Sequence, residues 1–333
     1  MKAIVIQGGC AAEDTAAFTL EEQPTPVPEA RDLLTRVVAI GMNPVDTKVR
    51  TKTDGSKVLG WDAYGIVEGI GPEVTDFAIN DRVYYAGDIT RPGCNGEYHL
   101  VDERIAAKAP TGMSPEDAVA MPLTSITAWE ALFDRLGFIP EHDANPGKSI
   151  LIIGGAGGVG SIAIQLARWA GLKVYATASR PETKDWCNKL GADVILNHHN
   201  NLLEELQDNN TDCVDSIFCT TQMERHWKAM SECIRPQGRI VLIDDPVKPI
   251  DITLFKQKSV SISWEFMYTK SMFQTDDMDS QGKLLATVAS LLEDGTLVST
   301  RQATVNGLSV DNIRAMHVRQ ESGKMIGKQV LVL

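Results

Sequence analysis

A chain of 333 residues, 43% hydrophobic and 23% charged, has the composition of an ordinary globular protein and room for two domains with large cores. Its net charge of −12 argues against nucleic acid and anionic membrane as main partners, because both demand a basic face. The six cysteines, Cys10, Cys94, Cys187, Cys213, Cys219 and Cys233, form no C-x-x-C pair, so reduced thiols in a cytosolic setting are expected.

The opening residues, MKAIVIQGG, carry one Lys and a short apolar run, which predicts a first strand rather than a signal peptide. Leu33–Ile40, Tyr64–Ile70 and Arg82–Ala86 read as further strands, punctuated by Gly41, Pro44, Gly60, Gly71, Gly87 and Pro92. Many short strands without long helices predict a barrel-like or partly open β domain. Near Met121 the pattern changes, and Thr124–Leu136 has helical spacing. From Ser149 strands and helices alternate. Ser149–Ile153, Lys173–Ala178, Val194–Leu196, Val214–Cys219, Arg239–Ile243 and Ser259–Trp264 are the strands. Val159–Ala170, Pro181–Leu190, Leu202–Gln207 and Glu224–Ile234 are the helices. Short apolar strands alternating with helices predict a parallel sheet covered on both faces. After Met267 the alternation ends, leaving one amphipathic helix, Lys283–Asp294, and a closing strand, Met325–Leu333. No apolar run approaches the roughly 20 residues that span a bilayer.

One motif carries most of the chemistry. Gly155-Ala156-Gly157-Gly158-Val159-Gly160 fits G-x-G-x-x-G between the strand Ile150–Ile153 and a helix. Gly155 permits the tight turn, Gly157 lets the backbone approach a pyrophosphate, and Gly160 lets the helix pack close to the strand. The helix N-terminus then offers free N–H groups to phosphates. At the head of a strand–helix series this predicts a dinucleotide; a bare structural turn is the alternative. An NAD site places a carboxylate about 20 residues further on, but here that place reads Thr177-Ala178-Ser179-Arg180. Ser179 can donate to a 2′-phosphate, Arg180 can pair with it bidentately, and Lys184 adds charge one turn along, so NADPH is favoured. The plainer reading of Arg180 and Lys184 is a solvated face.

Taken in order, Gly41-Met42-Asn43-Pro44-Val45-Asp46, Gly60-Trp61-Asp62-Ala63-Tyr64-Gly65, Gly96-Glu97-Tyr98, Leu123–Trp129, the glycine loop and Gly323–Leu333 resemble the medium-chain dehydrogenase/reductase superfamily over essentially the whole chain. Within it the chain is most similar to the quinone oxidoreductase side and to the zinc-type alcohol dehydrogenase-like proteins. The resemblance implies an α/β Rossmann domain with a doubly wound parallel sheet at 123–267. It also implies a GroES-like β-rich catalytic domain at 1–122 completed by 268–333, an active site in the cleft between them, and a homodimer. Zinc is the departure. The zinc enzymes of the family carry a Cys at or beside position 42 and a His-Glu pair after Gly60, where this chain has Met42, Trp61 and Asp62. A catalytic zinc needs about three N, S or O ligands, and these residues do not supply them. The family's structural zinc lobe uses four cysteines, and here Cys94 stands alone; Cys94 with His99 is the best residual pair, and plain loop and strand is the simpler reading. No metal is expected.

Without a Lewis acid, a hydride acceptor must be activated already, as quinones and enones are. The expectation is an NADPH-dependent, zinc-independent reductase of such small molecules. By resemblance, Asn43 lies beside the nicotinamide with its amide donating to a carbonyl, Asp46 orients the same loop, and Thr127 contacts the nicotinamide end. Phe266 and Met267 line its pocket, and Lys328 approaches the phosphates. The plainer readings are a turn at Asn43, a helix cap at Asp46, core for Phe266 and Met267, and a solvated strand end for Lys328. Tyr64 is a candidate general acid, a pocket wall or a packing residue, and solvent is the other proton source. His198 and His199 read as loop residues. Two other functions stay open: reduction of an enoyl thioester or 2-alkenal, and a non-catalytic NADPH-binding or redox-sensing role. No G-x-S-x-G or H-E-x-x-H occurs.

Overall fold

The computed structural model describes residues 1–333. In chain order the first elements are β1 (Lys2–Gln7), β2 (Phe18–Glu22), β3 (Asp32–Gly41), α1 (Pro44–Lys52), β4 (Ser56–Val58), β5 (Asp62–Ile70), β6 (Arg82–Ala86), β7 (Tyr98–Asp102), β8 (Ala106–Lys108), α2 (Pro115–Ala118) and α3 (Pro122–Trp129). The alternating section follows: β9 (Ser149–Ile153), α4 (Gly158–Trp169), β10 (Lys173–Thr177), α5 (Pro181–Lys189), β11 (Val194–Leu196), α6 (Leu202–Asp208), β12 (Val214–Cys219), α7 (Met223–Cys233), β13 (Ile234–Leu242) and β14 (Ser261–Trp264). The chain closes with α8 (Thr269–Phe273), α9 (Ser280–Glu293), β15 (Arg301–Asn306), α10 (Val310–Glu321) and β16 (Lys328–Val332). These elements form two units, residues 1–126 with 268–333, and residues 127–267.

In unit 127–267 six strands pair in parallel in the order β11-β10-β9-β12-β13-β14. Counted from β9, that is 3-2-1-4-5-6, the doubly wound Rossmann order. Helices cover both faces, so strands read as continuous apolar runs rather than alternating ones. Ile150, Leu151, Ile152 and Ile153 are all buried, and Leu151 packs in one cluster with Tyr175, Ile217, Ile240 and Trp227. Each such aliphatic side chain contributes roughly 1.5–3 kcal/mol by leaving water. Helix α4 buries Ile162, Ala163, Leu166 and Ala167 at helical spacing, and Gly171, at φ +82°, ends it in the left-handed region.

Unit 1–126 with 268–333 is β-rich. A three-stranded sheet runs β2-β1-β4, and a larger one runs β15-β16-β3-β5-β6-β8 with β7 also on β3. The C-terminal strand β16 lies antiparallel to β3, pairing Val330 with Gly41, and so brings the chain's end to the start of α1. It lies parallel to β15, with α10 as the crossover that parallel pairing requires.

Two stretches differ from expectation. The helix expected over Thr124–Leu136 is α-helical only to Trp129; Glu130–Arg135 is a π-helix, and Leu136 N–H reaches the Ala131 carbonyl at 3.0 Å. After Met267 the pattern predicts one helix and one strand, yet the short α8, β15 and α10 are also present. β15 is a largely polar edge strand, and α10 buries only Ile313, Met316 and His317, so neither carries a broad apolar signature. No helix is long and apolar enough to cross a membrane.

Candidate functional site

The glycine loop leaves the C-terminal end of β9, the middle of the parallel sheet and the point where strand order reverses. Ligands of open α/β sheets bind at such points. Gly154 takes φ +86°, and a Cβ there would lie 2.4 Å from Thr220 Oγ1. The turn expected at Gly155 is therefore made at Gly154, one residue earlier. Gly155 instead makes room for Ala176, whose Cβ would stand 2.9 Å from a Cβ at Gly155. At Gly160 a Cβ would lie 2.2 Å from the Gly154 carbonyl oxygen, so the first turn of α4 rests directly on the loop. Gly157 is different. Its Cβ would meet only the Gly154 oxygen, at 3.6 Å, and would otherwise enter open space. That space is a cradle at the helix N-terminus, edged by the half-buried Gly158 and Val159 with Ala156 buried behind. Its shape and free N–H groups suit a pyrophosphate.

At the neighbouring strand end, Ala178 N–H donates to the Leu196 carbonyl at 2.9 Å. Ser179–Arg180 and Asn197–His199 thus leave adjacent strands side by side. Arg180 precedes α5, is partly exposed, and lies 3.4 Å from Glu182; Lys184 follows one turn on and is half-buried. His199, read from sequence as a loop residue, accepts from Arg225 Nη2 at 3.0 Å, which places another cation at this edge of the sheet. No sequence spacing signals that contact.

The second polar constellation lies in the β-rich unit, where β3, α1, β5 and β16 converge. Asn43 caps α1: its backbone N–H donates to Asp46 Oδ2 at 2.8 Å. Its side-chain Nδ2 donates to Asp62 Oδ2 at 2.8 Å, and its Oδ1 accepts from Lys328 Nζ at 2.5 Å. Lys328 also donates to Asp62 Oδ2 at 2.7 Å and to the Met42 carbonyl at 2.8 Å. Asp62 Oδ1 accepts from Leu123 N–H at 2.7 Å. Asn43, Asp46, Asp62 and Lys328 are all at most 3% exposed. Burial raises the Asp46 carboxyl to about 7, against the opposing pull of the Asn43 N–H and the Lys328 ammonium.

This geometry revises three expectations. Lys328 is neither a solvated strand end nor turned to a phosphate, because its three N–H donors are directed to three buried acceptors. Asn43 turns its amide inward, to Asp62 and Lys328, so the side chain organises its loop rather than presenting a donor. Tyr64 sits on β5, 5% exposed, with its phenol toward Arg82 and outside the Asn43 cluster; burial pushes its pKa up, and Arg82 pulls the other way. Thr127 is buried on α3, Met267 is buried just after β14, and Phe266 beside it is 47% exposed.

Comparison with known proteins follows this architecture. Residues 29–119 match the alcohol dehydrogenase GroES-like domain and residues 158–280 match the zinc-binding dehydrogenase family. A zinc-type alcohol dehydrogenase-like protein of Staphylococcus aureus is 42% identical over 333 residues, covering 99% of each chain. A 2-methylene-furan-3-one reductase of Solanum lycopersicum is 34% identical over 241 residues, 67% of this chain and 58% of that one. The crystal structure of a protein from Rhizobium etli CFN 42, described as a candidate zinc-dependent alcohol dehydrogenase, superposes with a TM-score of 0.96 at 45% identity over 100% of this chain and 98% of that one. The zinc in these names does not fit the residues here. No group of three or more His, Cys, Asp or Glu side chains is placed to hold a metal ion. Asp62 is held by an ammonium, Met42 and Trp61 are buried beside it, and both ring nitrogens of His99 are taken, by Tyr85 and by the Pro92 carbonyl.

Proposed function

The chain belongs to the medium-chain dehydrogenase/reductase superfamily, among its alcohol dehydrogenase-like oxidoreductases, and from that premise we propose an NADPH-dependent, zinc-independent reductase of quinones or of alkenes conjugated to a carbonyl. The observation that carries the proposal is the open cradle at Gly157, set on the central strand of a 3-2-1-4-5-6 sheet, with Ser179 and Arg180 rather than a carboxylate at the next strand end. Bound NADPH supplies the hydride. The free N–H groups of Gly158 to Gly160 hold the pyrophosphate, and Ser179, Arg180 and Lys184 hold the 2′-phosphate. Thr127, Phe266 and Met267 are assigned to the nicotinamide end. Asp46, Asp62 and Lys328 keep the Met42–Pro44 loop in one conformation through Asn43. With an ammonium on Asp62 in place of a Lewis acid, the acceptor must carry its own electron-withdrawing carbonyl. The relative named for a methylene conjugated to a furanone supports that class. Solvent supplies the product's proton in this reading, with the Tyr64 phenol as the other donor. The resemblance supports a cytosolic setting and a homodimer.

Mixing the protein with NADPH and phenanthrenequinone tests the activity: reduced-nicotinamide absorbance falls if the proposal holds. Tight coenzyme binding with no turnover of any quinone, enone or enoyl thioester would instead leave a binding protein. Arg180→Ala tests the coenzyme. Losing one charge-assisted pair, worth about 1.5–3 kcal/mol, raises the NADPH KM about 10- to 100-fold and leaves NADH nearly unchanged. Equal effects on both refute the 2′-phosphate assignment.

A further inference from the structure

The helix that carries Thr127 changes character one turn later, and the change has a chemical consequence. Glu130–Arg135 is π-helical, a wider turn that re-aims side chains and recurs at functional sites. Here it turns two residues toward one buried side chain. Arg135 Nε stands 2.9 Å from Glu265 Oε2, while the Glu130 carboxyl faces the Glu265 carboxyl, whose buried Oε1 has no donor. Glu130 is 1% exposed and Glu265 3%. Two ionised carboxylates have only acceptors, so a hydrogen bond can join this pair and satisfy that oxygen only while one of them carries a proton. Burial and the facing Glu130 push Glu265 up to about 9, and Arg135 pulls the other way. One proton on the pair leaves one negative charge against one guanidinium. The other cation near the turn, Arg239 of β13, donates to the Leu136 carbonyl at 3.0 Å and so holds the end of the π-helix rather than the pair.

The pair ties together two segments. Thr127 lies one turn before Glu130. Phe266 and Met267 follow Glu265 directly, and Glu265 N–H stays in sheet register on the Leu242 carbonyl at 2.9 Å. We propose that Glu130 and Glu265 share one proton and act as positioning residues that fix the Thr127 turn against the Phe266–Met267 segment. This rests on the assignment of those segments to the nicotinamide end. Loss of the shared proton sets two carboxylates against one guanidinium, loosens the join and weakens coenzyme binding.

Calorimetric titration with NADPH across neutral and alkaline pH tests it. Wild-type affinity should be flat through neutrality and then fall above about pH 9, approaching tenfold per pH unit for one proton. Glu265→Gln keeps a donor to Glu130 but cannot ionise. It should hold the neutral-pH Kd within about threefold and abolish the alkaline fall, while Glu265→Ala should weaken binding about tenfold or more at every pH. Glu130→Gln is the reciprocal variant, and it carries the test if Glu265→Gln loses its wild-type circular dichroism. A wild-type alkaline fall retained in the Gln variants overturns the inference. So does a melting temperature that responds to these changes while Kd does not, since that describes a brace with no role at the coenzyme. Wild-type protein that binds neither coenzyme overturns the proposed function as well, which separates the two failures.

Discussion

Replacing Lys328 with Met removes the one cation from a buried polar cluster while keeping most of the side chain's volume. Asp62 is fully buried, and it would keep the Asn43 and Leu123 donors, at 2.8 and 2.7 Å, but lose its counter-charge. Removing one partner of a buried ion pair costs about 3–5 kcal/mol. The Met42 carbonyl and Asn43 Oδ1 lose a donor too, which pushes toward the upper end. Urea midpoints of wild type and variant at neutral pH measure this cost, and Asp62→Asn in the same background should recover more than half of the loss, because no unpaired charge then remains. A neutral-pH gap below about 1 kcal/mol refutes the pairing as described.

Two further predictions separate packing from binding and set the acid limit. Gly160→Ala forces a methyl onto the Gly154 carbonyl at 2.2 Å and should cost about 1–3 kcal/mol, whereas Gly157→Ala meets its nearest atom at 3.6 Å and should stay within about 0.5 kcal/mol. Gly157→Ala should nonetheless lose about tenfold or more in coenzyme affinity, as a methyl fills the cradle; unaltered affinity would sink the pyrophosphate assignment. His317 is fully buried against Phe18, at 4.9 Å between ring centroids, with no hydrogen-bond partner on either ring nitrogen. Burial, with the nearby Arg50, lowers it to about 3. The unfolded chain takes up this proton near pH 6.5 and the folded one does not, so stability falls as pH drops from there toward about 3. His317→Phe should flatten that slope in melting curves, and an unchanged slope would show that His317 does not set it.

Much of the parallel sheet was legible because its information is local. Strands buried on both faces must be apolar throughout, and Ile150–Ile153, Val214–Cys219 and Val194–Leu196 announce themselves without reference to any partner. The glycine loop is legible for the same reason, since backbone approach leaves a mark at fixed spacing; only the tight turn sits one residue earlier, at Gly154 rather than Gly155. β15 and α10 were not legible, because an edge strand and a helix burying three side chains need little apolar surface. The π-helix escaped as well, because Glu130–Arg135 has ordinary helical spacing.

The sequence by itself determined that this chain has a G-x-G-x-x-G turn, Met42, Trp61 and Asp62 where the family's zinc enzymes carry Cys and His-Glu, and no carboxylate at Thr177–Arg180. Those are statements about which atoms exist at given places along the backbone. Tertiary structure alone decided what the charges do. Lys328 meets Asp62 across 266 positions and Arg135 meets Glu265 across 130. A charged side chain in water has no fixed partner, and only burial, by making an unpaired charge costly, selects one.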